Sequence, residues 1–88
     1  MNRTYLFIYS DIIGDRDQVK KYLESMNEVV HWRYDMPNCF YIKSNSSAQE
    51  LTEALVSQLG DDKRFLFAEI CENRQGYLPK ATWEFLNS

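Results

Sequence analysis

The sequence predicts an α+β domain: a four-stranded antiparallel sheet with two helices on one face and a short helical tail. Three patterns carry this reading. Two segments alternate in hydrophobicity with the period of a strand. Two others repeat apolar residues at helical spacing behind N-terminal capping residues. Between these helical segments, a proline-containing turn separates a pair of strand-like runs.

The first strand spans Thr4 to Ser10, with Leu6 and Ile8 on one side and Tyr5, Phe7 and Tyr9 on the other. A helix starts at Asp15 to Asp17, where carboxylates suit the positive end of the helix dipole. It presents Val19, Tyr22, Leu23 and Met26 at i, i+3, i+4 and i+7. Glu28 to Tyr34 and Cys39 to Ser44 form a hairpin around Asp35-Met36-Pro37-Asn38, where proline presets one dihedral of the turn. Ser47-Ala48-Gln49-Glu50 has the spacing of a capping box and opens a helix bearing Leu51, Leu55, Val56 and Leu59, which Gly60 closes as a left-handed cap. The last strand, Arg64 to Cys71, sets Leu66, Ala68 and Ile70 against Phe65, Phe67 and Glu69. After a turn at Asn73-Arg74-Gln75-Gly76, a tail helix covers Ala81 to Leu86. Pro79 suits its first helical position, and Trp83 and Leu86 share one face. The order strand, helix, strand, strand, helix, strand is that of a ferredoxin-like fold, here a single domain over residues 1–88 with the tail at 73–88.

In that arrangement Leu6/Ile8, Phe40/Ile42 and Leu66/Ile70 are expected beneath the helices. Tyr5, Phe7, Tyr9, Tyr41, Phe65 and Phe67 then fall on the opposite face. A contiguous apolar face of this kind marks an interface. Its occupant is the same face of a second copy, the tail through Trp83, or stacked bases as in an RNA-recognition module. Leu6-Phe7-Ile8-Tyr9 is similar to the shorter sheet motif of that module. Asn38-Cys39-Phe40-Tyr41-Ile42-Lys43 lacks the basic, glycine-spaced pattern of the longer one, which leaves the homodimer or the tail as the expected cover. A chain of 88 residues also buries only about 60–65% of its unfolded surface, so self-association would add to a thin core.

Composition narrows the function classes. With 44% hydrophobic and 15% aromatic residues the chain is not disordered. A net charge of −3 disfavours nucleic acid as a partner; a basic patch would need Arg3, Lys20, Lys21, Lys43, Arg64 and Arg74 to be gathered by the fold. No apolar run approaches the ~20 residues of a membrane span, and Met1 runs into a strand pattern without a charged-then-apolar leader. A cytoplasmic protein with no membrane partner is expected. Cys39 and Cys71 form no C-x-x-C pair and His31 is the only histidine, so ordinary buried thiols are expected unless these three converge with an acid on zinc.

The residue with most chemical interest is Asp11, at the point where the first strand hands over to a helix. One reading is structural: its carboxylate accepts hydrogen bonds from backbone amides in the following turn. The other is catalytic, with Asp11 as a ligand of magnesium or manganese. Asp15 and Asp17 suit a helix start. Ser10 has no partner base or oxyanion motif, and no glycine loop cradles phosphate.

Two resemblances bear on this choice. Ile8-Tyr9-Ser10-Asp11-Ile12, with Asp15-Arg16, Lys20 and Leu23, resembles the opening of the small ferredoxin-fold endonuclease-like family of CRISPR adaptation and its relative, virulence-associated protein D. Over nearly the whole chain, His31-Trp32, Phe40-Tyr41-Ile42-Lys43, Ser47 to Leu55 and Asn73 to Trp83 resemble short bacterial and phage proteins labelled "SinR family", a group without an established activity. Nothing in the chain looks like a repressor's helix-turn-helix. The resemblance implies a homodimer and puts the family's strand-end acid at Asp11, where two copies would hold a divalent cation between them for phosphodiester hydrolysis. The chain departs from that pattern in inserting Ser10 between Tyr9 and the acid, and a one-residue slip turns side chains to the other face. The expectation is a non-enzymatic protein-interaction module of a mobile-element or defence-related locus, without a cofactor. A metal-dependent nuclease is the alternative.

Overall fold

A computed structural model describes residues 2–88; Met1, read above for a leader, lies outside them. The elements follow in the order β1 (Arg3–Tyr9), a 3-10 turn (Asp11–Ile13), α1 (Arg16–Ser25), β2 (His31–Tyr34), β3 (Cys39–Ser44), α2 (Ala48–Leu59), β4 (Phe65–Glu69) and α3 (Lys80–Asn87). The four strands form one sheet in the order β2-β3-β1-β4, every neighbouring pair antiparallel. It follows that β1 and β2 run parallel across β3, and β3 and β4 run parallel across β1. Each such skip is bridged by one helix, α1 or α2.

Both helices begin with reciprocal caps. Asp15 accepts from the Gln18 amide at 2.9 Å while the Gln18 side chain accepts from the Asp15 amide at 3.0 Å. Ser47 and Glu50 do the same for α2. Each cap satisfies backbone donors that the first helical turn leaves without partners. Gly60 closes α2 at φ 85° and ψ 176°, so the chain leaves in an extended conformation open mainly to glycine, not in the expected left-handed helical one.

The sheet register corrects the assignment of faces. Directly opposed residues of antiparallel strands share a face. Tyr5 lies opposite Ile42, Phe7 opposite Phe40 and Phe67, and Tyr9 opposite Phe65. These residues, not Leu6 and Ile8, pack beneath α1 and α2 against Val19, Leu23, Leu51 and Leu55. Tyr5, Phe7, Tyr9 and Phe67 are therefore buried core, Phe65 half-buried against it, and none of the five belongs to a free face. The rings form a continuous layer, Phe7 stacking on Phe67 with centroids 4.5 Å apart and on Tyr9 at 5.3 Å. Base stacking on this face is excluded by the helices that cover it.

Tyr41 alone of the six aromatics points to the opposite face, paired with Leu6. There the tail docks: Leu86, Trp83, Phe85 and Leu78 pack with Tyr41, Cys39, Leu6 and Ile70. Pro79 is the residue before α3, not its first helical residue. Thr82 and Leu86 form the buried side of this helix, with Trp83 only half-buried at its flank. No helix among the described residues is long and apolar enough to cross a membrane.

Candidate functional site

Three places on the molecule carry chemistry that the core does not consume. The first is the turn after β1. Ser10 still belongs to the sheet through its amide, which donates to the Arg64 carbonyl at 3.0 Å. Its hydroxyl caps the 3-10 turn, accepting from the Ile12 amide at 3.4 Å. Gly14 closes that turn at φ 147°, its amide donating to the Asp11 carbonyl at 3.1 Å. A β-carbon there would stand 2.7 Å from the Gln18 side-chain oxygen that caps α1.

Asp11 consequently sits in the turn, not on the strand, and its side chain is exposed. Its partner is not a turn amide: Asn38 Nδ2 donates to Asp11 Oδ1 at 2.6 Å. Asn38 occupies the left-handed position of the β2–β3 hairpin at φ 59°, a conformation asparagine tolerates well, and its carbonyl accepts from the Tyr9 amide at 3.1 Å. The expected backbone partnership belongs to Ser10, and Asp11 instead ties the turn to the hairpin. Among the described residues no group of three His, Cys, Asp or Glu side chains converges. Cys39, Cys71 and His31 are therefore not gathered with an acid into one such group.

The second place is the sheet face that α3 covers in part. Arg33 reaches across from β2, its Nε donating to Thr82 Oγ1 at 2.8 Å. Lys43, buried on β3, donates to the Ser88 carbonyl at 2.8 Å and lies 5.3 Å from the Phe85 ring centroid, a cation at the negative end of α3. Burial, reinforced by the Arg74 guanidinium, holds the Lys43 ammonium below its usual range. Burial pushes the Tyr41 phenol up, and the Cys39 thiol likewise, with the Asp35 carboxylate adding to the effect on both. Cys71, expected to be buried, is exposed, and the two thiols are unbridged. Beyond the tail, Ile8 and Leu66, opposed in β1 and β4, remain 41% and 53% exposed and line a shallow groove of about 310 Å³ with Ser10 and Arg64. Ile12, in the adjoining turn, is 69% exposed.

The third place is the β2 edge, which the reading of the sequence missed. Arg16 of α1 lies over the Tyr34 ring, 4.8 Å from its centroid, and Lys20 lies over Trp32 at 5.5 Å. With Arg33 and Phe85 these residues line a groove of about 460 Å³. Its signal in the chain is the alternation of basic and aromatic residues in His31-Trp32-Arg33-Tyr34. The basic residues named from sequence are scattered instead: Lys20 faces this groove, Lys43 and Arg74 serve the tail, and Arg64 lines the groove at the other edge. Compared with known proteins, the chain matches no family model, no curated protein and no solved structure.

Proposed function

We propose that this chain is a non-enzymatic protein-interaction module: a ferredoxin-like homodimer, related to the short bacterial and phage proteins it resembles, that serves a mobile-element or defence-related locus. The ferredoxin-like reading is supported by the two helix-bridged skips and by antiparallel pairing throughout the sheet. The observation that carries self-association is the apolar pair Ile8 and Leu66, left exposed on a sheet face whose other half is sealed by α3. A second copy seated there would cover both side chains and the free edge of β4, the two liabilities this side of the molecule presents. The contact is thus assigned to the aliphatic side of β1 and β4, not to the aromatic layer.

Sedimentation at micromolar concentration tests this. The expected result is twice the chain mass, with Ile8→Glu combined with Leu66→Glu returning a folded monomer, since both positions are exposed. A native monomer, or a dimer that survives both charges, would refute the assignment.

A nuclease reading is supported by one observation. Asp11 is exposed in the turn that follows the strand presenting Ile8, so self-association there would bring the acids of two copies toward one rim. One charge per subunit held by Asn38 is a weak cation site, and the expected result is no magnesium- or manganese-dependent cleavage of single- or double-stranded nucleic acid. Cleavage by the native protein that disappears in Asp11→Asn, with a metal-dependent rise in Tm by mass action, would replace the interaction-module reading.

A further inference from the structure

At the sheet edge opposite to β4, β2 has β3 on one side and, among the described residues, no strand on the other. Half of the backbone amides and carbonyls of an edge strand point outward, where they template pairing with another extended chain. Proteins commonly blunt such an edge with a bulge, a proline or a covering element. Here the edge borders a groove of about 460 Å³ floored by Trp32 and Tyr34, with α1 as its wall.

The charge of this groove is opposite to that of the molecule. The chain carries −3 overall, but the groove presents Arg16, Lys20 and Arg33 against the single acid Asp17. Asp17 lies 4.0 Å from Arg16 in a pair exposed on both sides, which neutralises little. Among the described residues, Lys20 and Arg33 have no carboxylate within ion-pair distance. The cations of Arg16 and Lys20 rest on aromatic faces, which orients them over the edge without consuming their charge.

We propose that the β2 edge is a docking site for an extended acidic peptide segment of a protein partner, which adds as a further strand beside β2. Its backbone pairs with His31–Tyr34, and alternate carboxylates meet Arg16 and Lys20. Strand addition takes affinity from main-chain hydrogen bonds and specificity from side chains at every second position, and this groove supplies both. A phosphate backbone would use the cations but leave the strand's outward amides and carbonyls unmatched, so the peptide is the occupant the edge fits. The site is independent of self-association, which concerns the other edge, and the two are read by different measurements.

The test uses the full chain and three fluorescent probes: a short end-blocked peptide alternating glutamate and valine, its lysine-for-glutamate counterpart, and oligothymidylate. The glutamate peptide is expected to bind, with the lysine peptide and oligothymidylate at least about tenfold weaker. Amide spectra should show His31–Tyr34 shifted, and those of its amides that face away from β3 slowed in hydrogen exchange, on binding. Lys20→Glu and, separately, Arg16→Glu, both on the outer part of α1, should each weaken binding several-fold with the circular dichroism unchanged. Failure of the glutamate peptide to bind, binding indifferent to both charge reversals, or binding that leaves the outward β2 amides unprotected would overturn the proposal. Preferential binding of oligothymidylate would overturn it in favour of a phosphate-reading groove.

Discussion

Phe7 is fully buried between Tyr9 and Phe67, with its ring stacked on both. Removing such a ring leaves a cavity that the flanking rings fill only in part, so Phe7→Ala is expected to cost about 3–5 kcal/mol in urea unfolding. Thr82 illustrates a different dependence. It is completely buried, and its hydroxyl accepts from Arg33 Nε. Thr82→Val keeps the shape but strands a charged donor, an expected loss of about 1–3 kcal/mol that Thr82→Ser should largely avoid. Trp83→Ala, by contrast, should fall below the ~3–5 kcal/mol of a fully buried tryptophan, because this side chain is only half-buried. The importance of Thr82 was not legible in the sequence: a threonine between apolar residues has no pattern of its own, and its partner lies 49 positions away.

At the scale of elements, α3 is the instructive case. A helix of eight residues does not form alone in water; it persists by burying Leu86 and sealing Tyr41 and Cys39. Truncation before Lys80 is therefore expected to lower the Tm and to expose Cys39. In the native protein a thiol reagent should modify Cys71 quickly and Cys39 slowly, since only Cys71 is exposed; in the truncated chain both should react quickly. Slow modification of Cys39 after truncation would show that α3 is not its cover. The helices α1 and α2 were legible because their caps and apolar spacing are local, within three or four residues. Cys39–Ser44 came out as read and the first strand kept its length, shifted by one residue, but the second and fourth strands are shorter than their patterns. Glu28 to Val30 and Ile70 to Cys71 carry strand-like residues but lie outside β2 and β4, whose extents are set by pairing with neighbours and not by propensity.

For the molecule as a whole, the buried titratable groups set the alkaline limit. Burial holds the protons of Cys39 above its ordinary 9.0 and of Tyr9 and Tyr41 above 10.0. As pH rises from those values the unfolded chain loses protons that the folded one keeps, so stability complete below them is lost. Lys43 acts in the other sense. Its folded value lies below 10.5, so the unfolded chain binds more protons there and stability rises with pH up to 10.5. Three groups oppose one, and denaturant midpoints are expected to fall as pH climbs above 9.0, more steeply in Lys43→Met. A midpoint that is flat across this range would contradict the burial of these side chains.

What the sequence alone determined is the local grammar: two alternating segments, a pair of strand-like runs about a hairpin turn, two capped amphipathic helices, and an α+β order of elements. These follow from period, caps and turn residues, each readable within a few positions. The pairing partners, and hence the faces, were decided by tertiary structure. Both sides of Tyr5-Leu6-Phe7-Ile8-Tyr9 are apolar, so alternation could show that Phe7 and Ile8 diverge without showing which one meets the helices. The opposition of Phe7 to both Phe40 and Phe67 places the large rings under α1 and α2 and the smaller aliphatic side on the opposite face, where the tail covers Leu6 and Ile70 and leaves Ile8 and Leu66 exposed. The same long-range register turned Asp11 from a strand-end acid into a link to Asn38, and brought Arg16 and Lys20 of α1 over the rings of β2, because contacts between distant segments are fixed only when the whole sheet closes around its core.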